Sequence, residues 1–343
     1  MSPSEIYVHR DDVEVGFVSH VGMVRNENQD SYGYFEPEDE TELRRKGRVL
    51  IVCDGMGGHN GGTIASRTTV DAMLRTVSAS RQETPRALLL EAISTANHQV
   101  REKGMSDPEL RNMGTTCVAM VLRGKRVEIA NVGDSRCYVF RKGQGEQVTR
   151  DHTYLNDLVD IGLMTPEAAR KHPERNIITR CVGMSDELQI DFVRREVLPG
   201  DVFLLCSDGL YNHVEDHEML GVVSELGAQA ACQALVDLAN KRGGEDNITV
   251  AVLKVNEIPS IFDGLEDEAV ESMEGASEKS RREECSDAGS AVTPRLPMSI
   301  MPVEEEAEES GRAKTFPGAR ALTGLIVIEV VALIVLRLLI SRF

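Results

Sequence analysis

Residues 48–62 read Arg48-Val49-Leu50-Ile51-Val52-Cys53-Asp54-Gly55-Met56-Gly57-Gly58-His59-Asn60-Gly61-Gly62. An aliphatic run that ends in a carboxylate and a Gly-rich turn reads as a buried strand delivering Asp54 to its edge. The arrangement recurs. Asp134 follows the run 126–133, Asp208 follows 201–207, and Asp246 leads into the strand-like ITVAVLKV. A carboxylate at a strand end can project into a shared cleft, while the neighbouring Gly lets the backbone turn and leaves its carbonyl accessible. Carboxylates, carbonyls and water are the ligands that Mg2+ and Mn2+ prefer, and no paired His or Cys lies nearby to suggest zinc. One Asp-Gly alone is most often a plain turn; four beside apolar runs point away from that, without naming a reaction.

Other strand-like runs are VEVGFVS (13–19), TTCVAMVL (115–122) and RCYVFR (136–141). Helical stretches fall at 63–80, 85–103, 153–162, 165–171 and 228–241, the first with Ile64, Thr68, Met73 and Val77 near one face. Strands arrive in consecutive groups rather than alternating with helices. The expected class is therefore α+β, an antiparallel β-sandwich with helices on both outer faces, rather than a doubly wound parallel sheet.

The formal net charge is −18, which would repel a nucleic-acid backbone, and the absence of Trp removes the best stacking platform. Residues 257–310 carry 16 acidic against four basic side chains, so most of the acidity belongs to that stretch. It is expected to be a disordered linker, 257–320, between a folded domain, 1–256, and an aliphatic run, 321–340. The seven Cys include no CxxC and several sit in apolar runs, so reduced core thiols are expected.

Taken together, the motifs resemble the PPM (type 2C) family of metal-dependent protein phosphatases, in its bacterial branch. The matching blocks are Arg25-x-x-Asn28-Gln29-Asp30-Ser31, Asp54-Gly55-Met56-Gly57-Gly58, Met113-Gly114-Thr115-Thr116, Val132-Gly133-Asp134-Ser135-Arg136, Ser207-Asp208-Gly209 and Asp246-Asn247, in the family's order. The resemblance implies hydrolysis of phosphoserine and phosphothreonine in proteins, reversing bacterial Ser/Thr kinases, by water activated between two Mn2+ or Mg2+ ions. Asp54 matches the carboxylate bridging both metals and Gly55 the carbonyl ligand. Asp208 and Asp246 match the ligands of the first metal, and Asp134 the residue of a third, weaker site. Arg25 matches the phosphate-binding arginine, Asp30 the acid that orients water in the metal shell, and 150–185 the flap beside the cleft. Two positions depart from eukaryotic members: Gln29 stands for a Glu, and Met56 for a His that protonates the leaving group. Other readings are a small-molecule phosphate esterase or an inactive sensing module, but Asp54, Asp208 and Asp246 all remain.

The run ALTGLIVIEVVALIVLRLLI (321–340) contains 14 Leu, Ile or Val. As a helix it would span about 30 Å. Its aliphatic residues favour insertion by about −4 to −8 kcal/mol, against about +3 for the central Glu329. A single-pass anchor in the cell inner membrane is expected, with the catalytic domain cytoplasmic and phosphoproteins and a membrane Ser/Thr kinase as partners.

Overall fold

A computed structural model describes residues 7–57 and 60–265. The expected anchor at 321–340, nearly all of the expected linker, and His59 lie outside the described residues; among those described, no helix is long and apolar enough to cross a membrane.

The strand at 48–56 is the centre of the architecture. Call it β4 (Arg48–Met56): Val49, Ile51 and Cys53 belong to one core cluster, while Leu50 and Val52 belong to another. This is the two-residue period of a strand buried on both faces, which is why its sequence is continuously apolar rather than alternating. Its sheet runs β10 (Asp191–Glu196), β7 (Arg126–Val132), β6 (Cys117–Arg123), β4, β3 (Asp30–Phe35), with β5 (Gly114–Thr115) paired to the end of β4. The second sheet runs β1 (Tyr7–His9), β2 (Val13–His20), β12 (Ile248–Val255), β11 (Val202–Cys206), β8 (Arg136–Arg141), β9 (Gln144–Gln147). All these pairings are antiparallel.

Three cores follow. Leu50, Val52, Val118, Met120 and Ile129 of the first sheet meet Val15, Phe17, Phe203, Leu205, Ala251 and Leu253 of the second. Helices α2 (Gly61–Ala79) and α3 (Pro85–Ser106) cover the first sheet through Met73, Val77, Leu89 and Ile93. The second is covered by α6 (Asp208–Tyr211), α7 (Asp216–Glu225) and α8 (Ala228–Lys241). The sandwich with helices on both outer faces is thus observed. The remaining helices are α1 (Glu40–Lys46), α4 (Tyr154–Asp160) and α5 (Pro166–Lys171), the last two within the flap stretch.

Several local expectations need correction. The run 115–122 is not one strand: it breaks at Thr116, whose backbone and hydroxyl turn to Asp54. Asp208 does not end a strand but opens α6. Helix α2 starts at Gly61, and Ile64 is only half-buried on it. No strand is expected from the sequence at β1, β3, β9 or β10, and no helix at α1, α6 or α7, yet all are present. Residues 257–262, expected in the linker, pack on the domain with Phe262 buried. The six described Cys are free and buried, as expected of core thiols.

Phe17 joins the two sheets: fully buried on β2, it stacks on Tyr32 of β3 with ring centroids 5.1 Å apart. Phe17→Ala removes both the burial and the stack, and should lower the unfolding free energy by about 3–5 kcal/mol, read by equilibrium denaturation. A loss below about 1 kcal/mol would mean that the sheets do not depend on this contact.

Candidate metal centre

Strand pairing alone brings the first two carboxylates together. In the β3–β4 register Asp30 lies directly opposite Asp54. The turn after β7 adds Asp134, the start of α6 adds Asp208, and the loop before β12 adds Asp246. All are at the same end of the sandwich, and they sense one another electrically. Burial first, then the charges of Asp30, Asp208, Asp134 and Asp246, raise the Asp54 carboxyl well above its ordinary value. Asp30 is pushed up to about 7 by burial, with Asp208 and Asp246 adding to the rise and hydrogen bonds from Thr249 and Ser207 opposing it. Burial and then Asp208 raise Asp134 to about 8; burial and then Asp246 raise Asp208 to about 6.

Hydroxyls and amides hold these side chains in place. Thr116 accepts the Asp54 N–H on Oγ1 at 2.9 Å and gives its own N–H to the Asp54 carbonyl at 2.8 Å. Ser207 Oγ donates to Asp30 Oδ2 at 2.7 Å and accepts the Thr249 N–H at 3.0 Å, tying the first sheet to the second. The Asn247 side chain accepts the Gln29 N–H and donates to the carbonyls of Val21 and Glu27, so it fixes the loop that carries Arg25. The motif letters were visible in the sequence, but these tasks were not; they exist only once β3, β4, β11 and β12 have paired.

Gly55 and Gly62 could not be other residues. A Cβ on Gly55 would stand 2.1 Å from the Gly62 carbonyl oxygen, and one on Gly62 would meet Gln29 Oε1 at 2.6 Å and the Gly55 carbonyl oxygen at 2.8 Å. Bare backbone here keeps the Gly55 carbonyl beside the carboxylates.

His152 is buried beneath the Asp134 turn. Its Nδ1 accepts the Gly133 N–H at 3.1 Å, so the ring proton sits on Nε2, which faces Asp191 Oδ2 at 3.1 Å. Burial is the first cause of its lowered pKa, which suits a neutral positioning ring rather than an acid. Arg25 reaches across the mouth, with Nη2 2.7 Å from Asp246 Oδ2, and is the most exposed of the expected site residues.

Do these residues fit a pair of divalent cations? Among the described residues no three His, Cys, Asp or Glu side chains are already drawn into a ligand set. Asp246 is engaged by Arg25, and the other carboxylates are fixed through the backbone and hydroxyls. Yet Asp30 Oδ1 and Asp208 Oδ1 are buried and find no hydrogen-bond partner. Orphaned buried oxygens on mutually repelling carboxylates are costly as they stand and are satisfied by a cation. An all-oxygen donor set with an unobstructed carbonyl suits Mg2+ or Mn2+. The fit is good.

The family model described as protein phosphatase 2C matches residues 25–223. The chain is 36% identical over 255 residues to protein phosphatase PhpP of Streptococcus pneumoniae, covering 71% of this chain and 98% of that protein. Its structure is similar to the S. agalactiae serine/threonine phosphatase, with a TM-score of 0.65 at 35% identity over 71% of this chain and 100% of that one. It is also similar to the catalytic domain of the phosphatase PstP solved with two manganese ions, with a TM-score of 0.62 at 32% identity over 72% and 99% of the two chains.

The cluster dictates a pH response of the metal-free protein. A carboxyl whose folded pKa is raised binds its proton more tightly in the native state. Native stability from that proton is therefore present at low pH and is lost as pH rises from 3.8, the ordinary value, through about 6, 7 and 8 for Asp208, Asp30 and Asp134. In chelator, Asp54→Asn should raise the melting temperature at pH 8 and change it much less at pH 4.5. An equal effect at both pH values would remove charge repulsion as the cause.

Proposed function

The chain belongs to the protein phosphatase 2C family, and from that premise we propose that it hydrolyses phosphoserine and phosphothreonine in proteins. The observation that carries this reading is the convergence of five carboxylates from both sheets, two of them with orphaned oxygens, beside an exposed arginine.

Asp54, the Gly55 carbonyl, Asp208 and Asp246 would hold two Mn2+ or Mg2+ ions, with Asp134 serving a third, weaker position. When bound, the ions acidify water and neutralise charge on the phosphoryl oxygens, the two obstacles to attack on a phosphate monoester dianion. Asp30 stands at the bottom of the cluster, anchored through Oδ2 to Ser207, which leaves Oδ1 to orient water. In the metal-free protein, burial and then the charges of Asp208 and Asp246 raise its carboxyl to about 7. Arg25 supplies a planar fork for two phosphate oxygens. Its partner in the structure is Asp246 Oδ2; were that carboxylate to hold a cation instead, the guanidinium would be available to orient a phosphate at the mouth. Gly133 and His152 keep Asp134 facing the site, and no Ser or Cys nucleophile is needed.

Substrates are phosphoproteins. We infer that they include a membrane Ser/Thr kinase of the bacterial receptor type and that kinase's own targets. The support is the aliphatic run 321–340, which as an inner-membrane anchor would hold the cytoplasmic catalytic domain near such proteins.

Asp208→Ala should nearly abolish turnover of a phosphothreonine peptide at saturating Mn2+ while the domain stays folded by circular dichroism; full activity would remove Asp208 from the ligand set. Arg25→Ala should raise KM for the peptide and lower kcat, with the Mn2+ concentration for half-activation little changed. Collapse of metal affinity at constant KM would make Arg25 structural instead.

Fractionation tests the anchor. Full-length chain should require detergent for release from membranes, whereas a 1–320 truncation should be soluble. Detergent-free recovery of the full-length form would leave a phosphatase without an anchor.

A further inference from the structure

One turn of helix connects two of the carboxylates. Helix α6 is only four residues long, beginning at Asp208 and ending at Tyr211. Tyr211 Oη donates to the carbonyl of Asp134 at 3.1 Å, a contact between residues 77 apart in sequence. Asn212, which caps the same helix, donates from Nδ2 to Asp208 Oδ2 at 3.2 Å, while the buried Oδ1 finds no partner. Two adjacent side chains thus address two carboxylate positions. Asn212 sets the rotation of the Asp208 side chain, and Tyr211 reaches the backbone of Asp134.

Tyr211 is itself held by the turn that it holds. The Arg136 guanidinium lies 3.5 Å from the centre of its ring, and Arg136 is fixed by its bidentate pair with Asp151 and by donating to Tyr138 Oη at 2.9 Å. Ring and hydroxyl therefore grip residues 134–136 together. The same turn is held by His152 at the Gly133 N–H and by Thr116, whose Oγ1 lies 2.7 Å from Ser135 Oγ. These contacts reach the backbone or the neighbours of Asp134, so they fix where its carboxylate stands without occupying its oxygens. The need for a clamp is electrostatic: among the charges acting on Asp134, that of Asp208 raises its carboxyl most. Like charges separate unless their backbones are tied, and the Tyr211 hydroxyl ties the helix of Asp208 directly to the turn of Asp134.

We propose that Tyr211 is a positioning residue that sets the place of the Asp134 carboxylate relative to Asp208, and thereby how well Asp134 binds a cation beside the cluster. This rests on the reading in which Asp134 serves a third, weaker cation position. Tyr211 acts through Asp134 and needs no contact with substrate or with a cation.

Titration of the full-length chain with Mn2+, followed by the paramagnetic resonance signal of the free ion, tests this without reference to turnover. The parent should show two tighter sites and one weaker. Tyr211→Phe keeps the ring under Arg136 and removes only the hydroxyl; it should weaken the third site about fivefold and the tighter two less than about twofold. Asp134→Ala should abolish the weak site, and Tyr211→Phe added to it should change nothing more, because both substitutions act on one position. With a phosphothreonine peptide, kcat of Tyr211→Phe should fall at limiting Mn2+ and recover at high Mn2+ with KM constant, a rescue that lost packing would not give. Equal weakening of all three sites, or an effect of Tyr211→Phe that persists beside Asp134→Ala, overturns the proposal and leaves Tyr211 as a brace for α6. A parent with two sites and no third also overturns it, while the two-ion phosphatase stands. A parent that binds no Mn2+ and turns over no phosphopeptide removes both.

Discussion

Like charges gathered in a buried place repel, and the fold is arranged around that cost. Asp30 and Asp54 are opposed across one strand pair, and Asp134 and Asp208 approach from the turn after β7 and the start of α6. Among the described residues, the cations that oppose this repulsion at Asp208 are Arg25 and Arg136. Arg136 is largely committed elsewhere, making a bidentate pair with Asp151 and lying 3.5 Å from the ring of Tyr211. A cluster held by neutral hydroxyls and backbone amides keeps its negative potential. One held by buried cations would have lost it. The native state is thereby less stable at neutral pH than it could be, and the energy is recovered by a proton or by a ligand of opposite charge.

Holding repelling groups together requires support from both sheets. Thr249 belongs to the second sheet and Ser207 follows directly on its strand β11, yet both hydrogen-bond toward Asp30 on the first. Ser19, opposite Thr249 in the β2–β12 register, extends the line of hydroxyls to Asn28. The inter-sheet core supplies the rigidity. Because Leu50 and Val52 alternate with Ile51 and Cys53, β4 is packed on both faces up to Asp54. The close Gly55–Gly62 contact then sets the start of α2 against the same strand end.

Parts of this were legible in the sequence for definite reasons. β4, β11 and β12 are buried on both faces and so read as unbroken aliphatic runs. β10 is an edge strand whose residues are all half-buried or exposed, and β3 is only partly buried, so neither carries a strong apolar period. Helix α7 was missed although Glu215 and Glu218 form a capping box; a Glu at the cap is a weaker signal than Ser or Thr. Of the site, the acidic residues were legible because each stands beside a Gly or at the edge of an aliphatic run. Thr116, Ser207 and Asn247 were not assigned tasks, since hydroxyls and amides gain meaning only from partners distant in sequence. Their contacts span 62, 177 and 218 residues.

The direction of β12 links the two poles. Its first residue, Ile248, follows the Asp246-Asn247 pair, and its last, Val255, lies toward the end where β6 and β7 turn through Gly124. Seven steps of about 3.3 Å separate these two residues by roughly 23 Å. One strand therefore runs from the proposed chemistry to the opposite end of the sandwich. The described chain beyond it stays at that end: Arg44 donates to the carbonyls of Ile261 and Asp263, and Phe262 is buried against Gly124. The carboxylates of Glu257 and Asp263 therefore stand about a strand's length from Arg25 and the acidic cluster, beyond a screening distance of about 8–10 Å, and do not compete there with phosphate or with cations.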